Sequence, residues 1–118
     1  MKKFYYLSTC DTCKRIMAEL ELHDSVVMQD IKTDPLTPAQ LEELKRLSGS
    51  YLSLFSKRAR LFKERNLKDR ELSEADIKDL ILEHYTFLKR PVLVWDDQIF
   101  IGNSKKTVQQ AFNTVNPN

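Results

Sequence analysis

A strand-like run, a helical stripe and a second strand-like run follow one another before residue 31, and this order constrains the fold more than anything else in the chain. The first run, Lys3-Phe4-Tyr5-Tyr6, is aromatic and is stopped by Ser8-Thr9. Ile16 and Leu20, with Met17 and Leu22 less regularly, then mark one helical face, and Ser, Thr and Asp residues crowd the place where that helix begins. Residues 25–30 read as the second strand. Two short strands joined through a helix pair in parallel by a right-handed crossover, so the chain opens with a βαβ unit.

The middle is helical. Thr37 with Pro38 behind it predicts a capped start, and Leu41, Leu44 and Leu47 share a face that ends near Ser48-Gly49. Helical patterns follow over 57–65 and from Ser73 to His84, the latter with Ser73 as cap, Glu74 and Asp76 in the first turn, and Ile77, Leu80 and Ile81 inward. Arg90-Pro91 breaks this region. Residues 92–95 and 99–101 then read as a hairpin around Asp96-Asp97-Gln98, and Val108, Ala111 and Phe112 mark a last helix after Gly102-Asn103-Ser104. The sum is an α/β chain of order βαβ, helical insert (about 37–88), ββα. At 118 residues it is expected to form one domain over 1–118.

Composition excludes several classes. With 42% hydrophobic and 31% charged residues and only two glycines, the chain is neither collagen-like nor disordered by composition. Its apolar runs are far shorter than the ~18 residues of a membrane span, so no membrane association is expected. Phe4 to Leu7 is too short for a secretory core, so a cytoplasmic setting with reduced thiols is expected. Net charge is +2, which calls for no nucleic acid. The exception is the run 57–65, where Lys57, Arg58, Arg60, Lys63 and Arg65 accompany a single acid, Glu64; it is either a solvated face or an anion site.

The only two cysteines stand together as Cys10-Asp11-Thr12-Cys13, between the first strand and the first helix. A thiolate at a helix N-terminus is stabilised by unpaired backbone N–H groups and by the positive end of the dipole, and Lys14 and Arg15 add positive charge. In such a pair the first cysteine is the exposed nucleophile, and the second, about one turn on, can resolve a mixed disulfide. Competing readings are a zinc site, two inert buried thiols and a stable disulfide. Zinc needs about four ligands, and only His23 and His84, without knuckle spacing, remain beyond the pair, so no metal is expected. A lasting disulfide is disfavoured in a reducing setting. Both histidines stand at predicted helix ends, where a structural role outweighs that of a general base.

Cys10-Asp11-Thr12-Cys13-Lys14-Arg15, then Asp30-Ile31-Lys32-Thr33-Asp34-Pro35-Leu36-Thr37, then Leu88-Lys89-Arg90-Pro91-Val92 closing on Ile101-Gly102, resembles the ArsC family of glutaredoxin-linked arsenate reductases, YffB-type proteins and Spx regulators. The resemblance runs from about Phe4 to Phe112. It implies a thioredoxin-like fold with an inserted helical subdomain, and such a fold brings a proline, often after a cis peptide bond, against the reactive thiol; Arg90-Pro91 stands there. In the family's arsenate reductases one N-terminal cysteine forms a thiol-arsenate adduct and three arginines bind the oxyanion. The resemblance implies Cys10 as that cysteine and Arg90 as one arginine, whereas the other two fall at Ser56 and at or near Gly102. Lys57, Arg58 and Arg60 are candidate replacements, and Arg58 matches the Ser/Thr-x-Arg pattern of the Spx and YffB-type branches.

These residues predict an arsenate reductase-like thiol/disulfide oxidoreductase. Cys10 attacks, Cys13 resolves, Arg90 holds an oxyanion or the thiolate, and Pro91 shapes the floor, with Thr12, Lys14 and Arg58 as further substrate contacts. Electrons are expected from glutathione, glutaredoxin or thioredoxin with no bound cofactor, and arsenate turnover is expected to be weak. The alternative implied by the C-x-x-C pair is an Spx-like regulator, whose thiol/disulfide switch controls binding to the RNA polymerase alpha subunit. The glycine that marks the partner surface in Spx has no equivalent, Gly49 and Gly102 being the only glycines.

Overall fold

The computed structural model describes residues 1–117, and the chain divides into two compact units. The first comprises Met1–Asp34 and the segment from Arg90 onward; the second is Pro35–Lys89.

The first unit is built on four strands, β1 (Lys2–Tyr6), β2 (Val27–Asp30), β3 (Val92–Trp95) and β4 (Gln98–Ile101), in the order β2-β1-β3-β4. β1 pairs in parallel with β2 and antiparallel with β3, and β3 pairs antiparallel with β4. The parallel pair is the one joined through helix α1 (Asp11–Leu20), as the crossover requires. Phe4 and Leu93, neighbours across the β1–β3 ladder, face a core completed by Ile16 and Leu20 of α1, Val26, and Ala111 and Val115 of the last helix, α5 (Lys105–Val115). Both helices therefore cover one face of the sheet. Ser104 caps α5 by accepting the Thr107 N–H. At the far end Asn116 donates its side-chain amide to the Leu20 carbonyl at 2.9 Å, satisfying a carbonyl that the end of α1 leaves open.

The insert unit carries α2 (Pro38–Ser48), α3 (Arg60–Glu64) and α4 (Glu74–Glu83), with short 3₁₀ turns at Leu52–Leu54, Leu67–Asp69 and Tyr85–Phe87. Thr37 and Gln40 form a reciprocal capping box on α2, and Ser73 and Asp76 form one on α4. Gly49 ends α2 at φ 96°, where a side chain is disfavoured. The core here is leucine-rich and aromatic: Leu41, Leu44, Leu54, Leu67, Ile77 and Ile81 are buried, and Phe55 stacks on Phe87 with ring centres 5.5 Å apart. Glu74 accepts the Tyr51 and Leu52 N–H groups at 2.7 and 3.0 Å, fastening the first turn of α4 to the chain that leaves α2.

The structure shortens several expected elements. The helix read over 57–65 is reduced to Arg60–Glu64: Leu61 and Phe62 are its only large apolar residues, and Asn66 at φ 53° cannot continue it. The run is not a uniform cationic face either, because Arg60 pairs with Glu64 and Arg65 makes two hydrogen bonds with Glu83. β2 begins at Val27 rather than residue 25, and Leu47 is half-buried rather than core. Gln98 belongs to β4, leaving Asp96-Asp97 as the hairpin turn with Asp96 at φ 56°. No helix among the described residues is long and apolar enough to cross a membrane.

Candidate active site

β1 ends at Tyr6, and the four residues Leu7-Ser8-Thr9-Cys10 turn the chain into α1. The Cys10 N–H donates to the Leu7 carbonyl at 3.0 Å, and the Cys10 carbonyl accepts the Lys14 N–H at 3.2 Å as the first bond of the helix. Cys10 is therefore the N-cap. The sequence suggested an oxygen-bearing cap among the nearby Ser, Thr and Asp residues; instead extended backbone angles place a thiol there, and it makes no ordinary capping bond. A sulfur in that position faces donors that await negative charge.

The two thiols are free and differ sharply. Cys10 is half-buried and Cys13 is 0% exposed. Partial burial works against ionisation of Cys10, but the Cys13 N–H, the Cys13 thiol, the Arg90 charge and the Thr12 N–H outweigh it, and its pKa falls below that of an ordinary thiol. Burial pushes the Cys13 thiol up to about 11; its hydrogen bond and charge interaction with Cys10 add to this, while the Leu7 N–H and Arg90 oppose it. The pair thus favours a Cys10 thiolate beside a protonated Cys13 that donates to it.

Arg90 acts on both sulfurs through its charge and is itself half-buried. It enters β3 through a cis Arg90–Pro91 bond, and the buried Pro91 accepts the Gly102 N–H at 2.9 Å, closing the base of the hairpin. Gly102 lies at φ 89° with open space where a side chain would project, so the obstacle to an arginine there is the backbone and not a clash.

The structure thus gathers Cys10, Cys13, Thr12 and Arg90, with Pro91 adjoining Arg90, in the first unit. Lys14 is exposed in the first turn of α1, and Arg15 makes a distant pair with Glu19 at 3.7 Å. Arg58 and Lys57 are exposed in the insert unit, where Ser56 uses its N–H on the Phe87 carbonyl at 2.7 Å. Among the described residues no cluster of three or more His, Cys, Asp and Glu is arranged to hold a metal ion.

Sequence reasoning missed the clamp on the loop before Cys10. The Ser8 hydroxyl donates to Asp30 at 2.5 Å and the Ser8 N–H to the same carboxylate at 3.3 Å, and the Lys32 N–H adds a third bond at 3.2 Å. The Ser8 hydroxyl above all holds the Asp30 carboxyl below the usual carboxylate range. Asp30 opens the second run that resembles the family, but what ties it to this loop is the β1–β2 pairing, which sets Tyr6 opposite Asp30.

Residues 5–111 match the ArsC family. The chain belongs to the ArsC family. This ArsC-family protein is 26% identical over 108 residues to the Global transcriptional regulator Spx 2 of Bacillus cereus, a match spanning 90% of the chain and 82% of that regulator. It superposes on a putative arsenate reductase from Yersinia pestis with a TM-score of 0.75 at 22% identity, covering 93% of this chain and 99% of the other. A possible arsenate reductase from Streptococcus mutans gives 0.70 at 27% identity, with 89% and 92% covered. The fold is thioredoxin-like, as the resemblance implied.

Proposed function

We propose that this ArsC-family protein is an arsenate reductase-like thiol/disulfide oxidoreductase, with Cys10 as nucleophile and Cys13 as resolving thiol. The observation that carries the reading is the opposite displacement of the two thiols, one favoured as thiolate at the helix cap and the other held protonated beneath it. The Cys10 thiolate attacks arsenic(V) of an arsenate-type oxyanion, and a protonated oxygen leaves as water. Cys13 then loses its proton and attacks the Cys10 sulfur. The sulfur–arsenic bond breaks, its electron pair reduces arsenic to the +3 state, and a Cys10–Cys13 disulfide remains. Two electrons from glutathione with glutaredoxin, or from thioredoxin, restore the dithiol. Bonding of Cys10 removes the negative charge that helps to raise Cys13, so the first step prepares the second. A disulfide substrate follows the same order with two thiols leaving.

Arg90 holds the oxyanion in this reading, Pro91 shapes the floor, and Thr12 and Lys14 supply first-turn contacts. Arg58 is the candidate contact from the insert. The protein needs no bound metal or organic cofactor for these steps.

A second reading, a redox-switched regulator that binds the RNA polymerase alpha subunit through a surface governed by the Cys10–Cys13 bond, is favoured by the resemblance to proteins named global transcriptional regulators. The deciding measurement is arsenate reduction with glutathione and glutaredoxin, wild type against Cys10→Ser, with alkylation mass spectrometry following both thiols. Slow, Cys10-dependent turnover supports the enzyme. Absence of turnover on arsenate and on small disulfides, with a reversible internal disulfide, overturns it in favour of the regulator.

A further inference from the structure

The Leu7–Ser8 peptide group has two obligations. Its carbonyl accepts the Cys10 N–H at 3.0 Å, and its N–H donates to Asp30 at 3.3 Å. The Leu7 N–H faces the Cys13 sulfur, so the segment from Leu7 to Ser8 touches both cysteines by backbone alone. On the other side Asp30 is firmly placed. Its carboxylate also takes the Ser8 hydroxyl at 2.5 Å and the Lys32 N–H at 3.2 Å, and its own carbonyl accepts the Asp34 N–H at 2.8 Å. The neighbouring Ile31 donates its N–H to the Tyr6 carbonyl at 3.0 Å, extending the β1–β2 ladder up to the loop. Gln29, 4% exposed, ties the same turn by donating to the Asp34 carbonyl at 2.9 Å. A hydrogen-bonded turn after β2, anchored by the buried Gln29 and Ile31, thus grips the loop that carries the nucleophile.

We propose that Asp30 is a positioning residue for Cys10, gripping Ser8 by both its hydroxyl and its N–H and so holding the Leu7–Ser8 peptide group, whose carbonyl fixes the Cys10 backbone at the helix cap. This rests on the reading of Cys10 as nucleophile and adds the group that aims it. A carboxylate suits the task because it accepts several donors at once, and charge-assisted bonds to N–H and O–H groups are shorter and stiffer than neutral ones. With the grip released, the Cys10 sulfur is free to swing away from the Thr12 and Cys13 N–H groups that favour its thiolate. The charged and titratable neighbours of Cys10 are Cys13 and Arg90, with Asp11 and Lys14 adjacent on α1.

The test is the pH dependence of Cys10 alkylation by iodoacetamide in the full chain, followed by peptide mass spectrometry, for wild type, Asp30→Ala, Asp30→Asn and Ser8→Ala. Asp30→Ala is expected to raise the midpoint by about half a unit, slowing alkylation near neutrality about threefold while leaving the rate of the fully ionised thiol at high pH unchanged. Asp30→Asn removes the charge but keeps an acceptor for the Ser8 and Lys32 N–H groups, and is expected to recover most of the wild-type midpoint. Ser8→Ala, the mildest change, is expected to give a smaller upward shift and answers the question if Asp30→Ala does not fold. An unchanged midpoint in Asp30→Ala, or in Ser8→Ala where it stands alone, overturns the proposal. So does a midpoint lowered alike in Asp30→Asn and Asp30→Ala, since loss of a nearby negative charge favours the thiolate and charge rather than grip would then be at work. The proposed function fails separately: a wild-type Cys10 that alkylates like a free thiol contradicts the nucleophile assignment whatever the variants show.

Discussion

Cys10 and Cys13 share one turn of helix and opposite tendencies, and two measurements separate them. Cys10→Ser is expected to abolish alkylation near pH 7, whereas Cys13→Ser, treated with glutathione disulfide, is expected to accumulate a mixed disulfide at Cys10 visible by intact mass; equal loss in both would contradict the order of attack. Cys13 also ties stability to pH. Because its pKa is raised to about 11 in the folded chain, the unfolded chain loses this proton first, and stability falls as pH climbs from the ordinary thiol range toward about 11. Urea denaturation between pH 8 and 11 is expected to show a shallower decline for Cys13→Ser than for wild type. The thiols were legible as a doublet at a strand–helix junction, whereas Arg90 and Pro91 were placed beside them through the family resemblance and the fold it implied, not through the dipeptide itself. The role of Asp30 was not legible, since its partner Ser8 lies 22 residues away and only parallel pairing unites them.

Elements with their own start signals were read well, and those without were not. α2 and α4 begin at capping boxes spelled out in consecutive residues, Thr37 to Gln40 and Ser73 to Asp76. α3 has no cap side chain and collects like charges at Lys57, Arg58 and Arg60, so five residues survive of the expected nine-residue stretch 57–65. Thr37→Ala is expected to cost about 1 kcal/mol in urea denaturation, as lost caps do. Glu74→Ala is expected to cost about 1–3 kcal/mol, because it strands the Tyr51 and Leu52 N–H groups at once, the first of them on a buried residue. If Glu74→Gln, which keeps one acceptor, proves as damaging as alanine, the carboxylate's charge rather than its shape holds that junction.

Across the whole molecule, the first unit is discontinuous in sequence. Phe4 packs in a core whose other members include Leu93, Ala111 and Val115, all beyond the insert. A chain ending at Lys89 lacks β3, β4, α5 and Arg90, so its Cys10 is expected to alkylate with the pH midpoint of a free thiol, measured as for the full chain; a lowered midpoint in the fragment would show that the helix cap suffices alone. The antiparallel ladder also explains why residues 80 positions apart act together: Tyr5 lies opposite Val92, so the exit of β1 and the entrance of β3 adjoin. A strand advances about 3.3 Å per residue and alternates faces, so a slip of one residue would move Arg90 by that distance and turn it away. The sheet is in this respect a ruler, graduated in single residues, and the gap between guanidinium and sulfur is one of its readings.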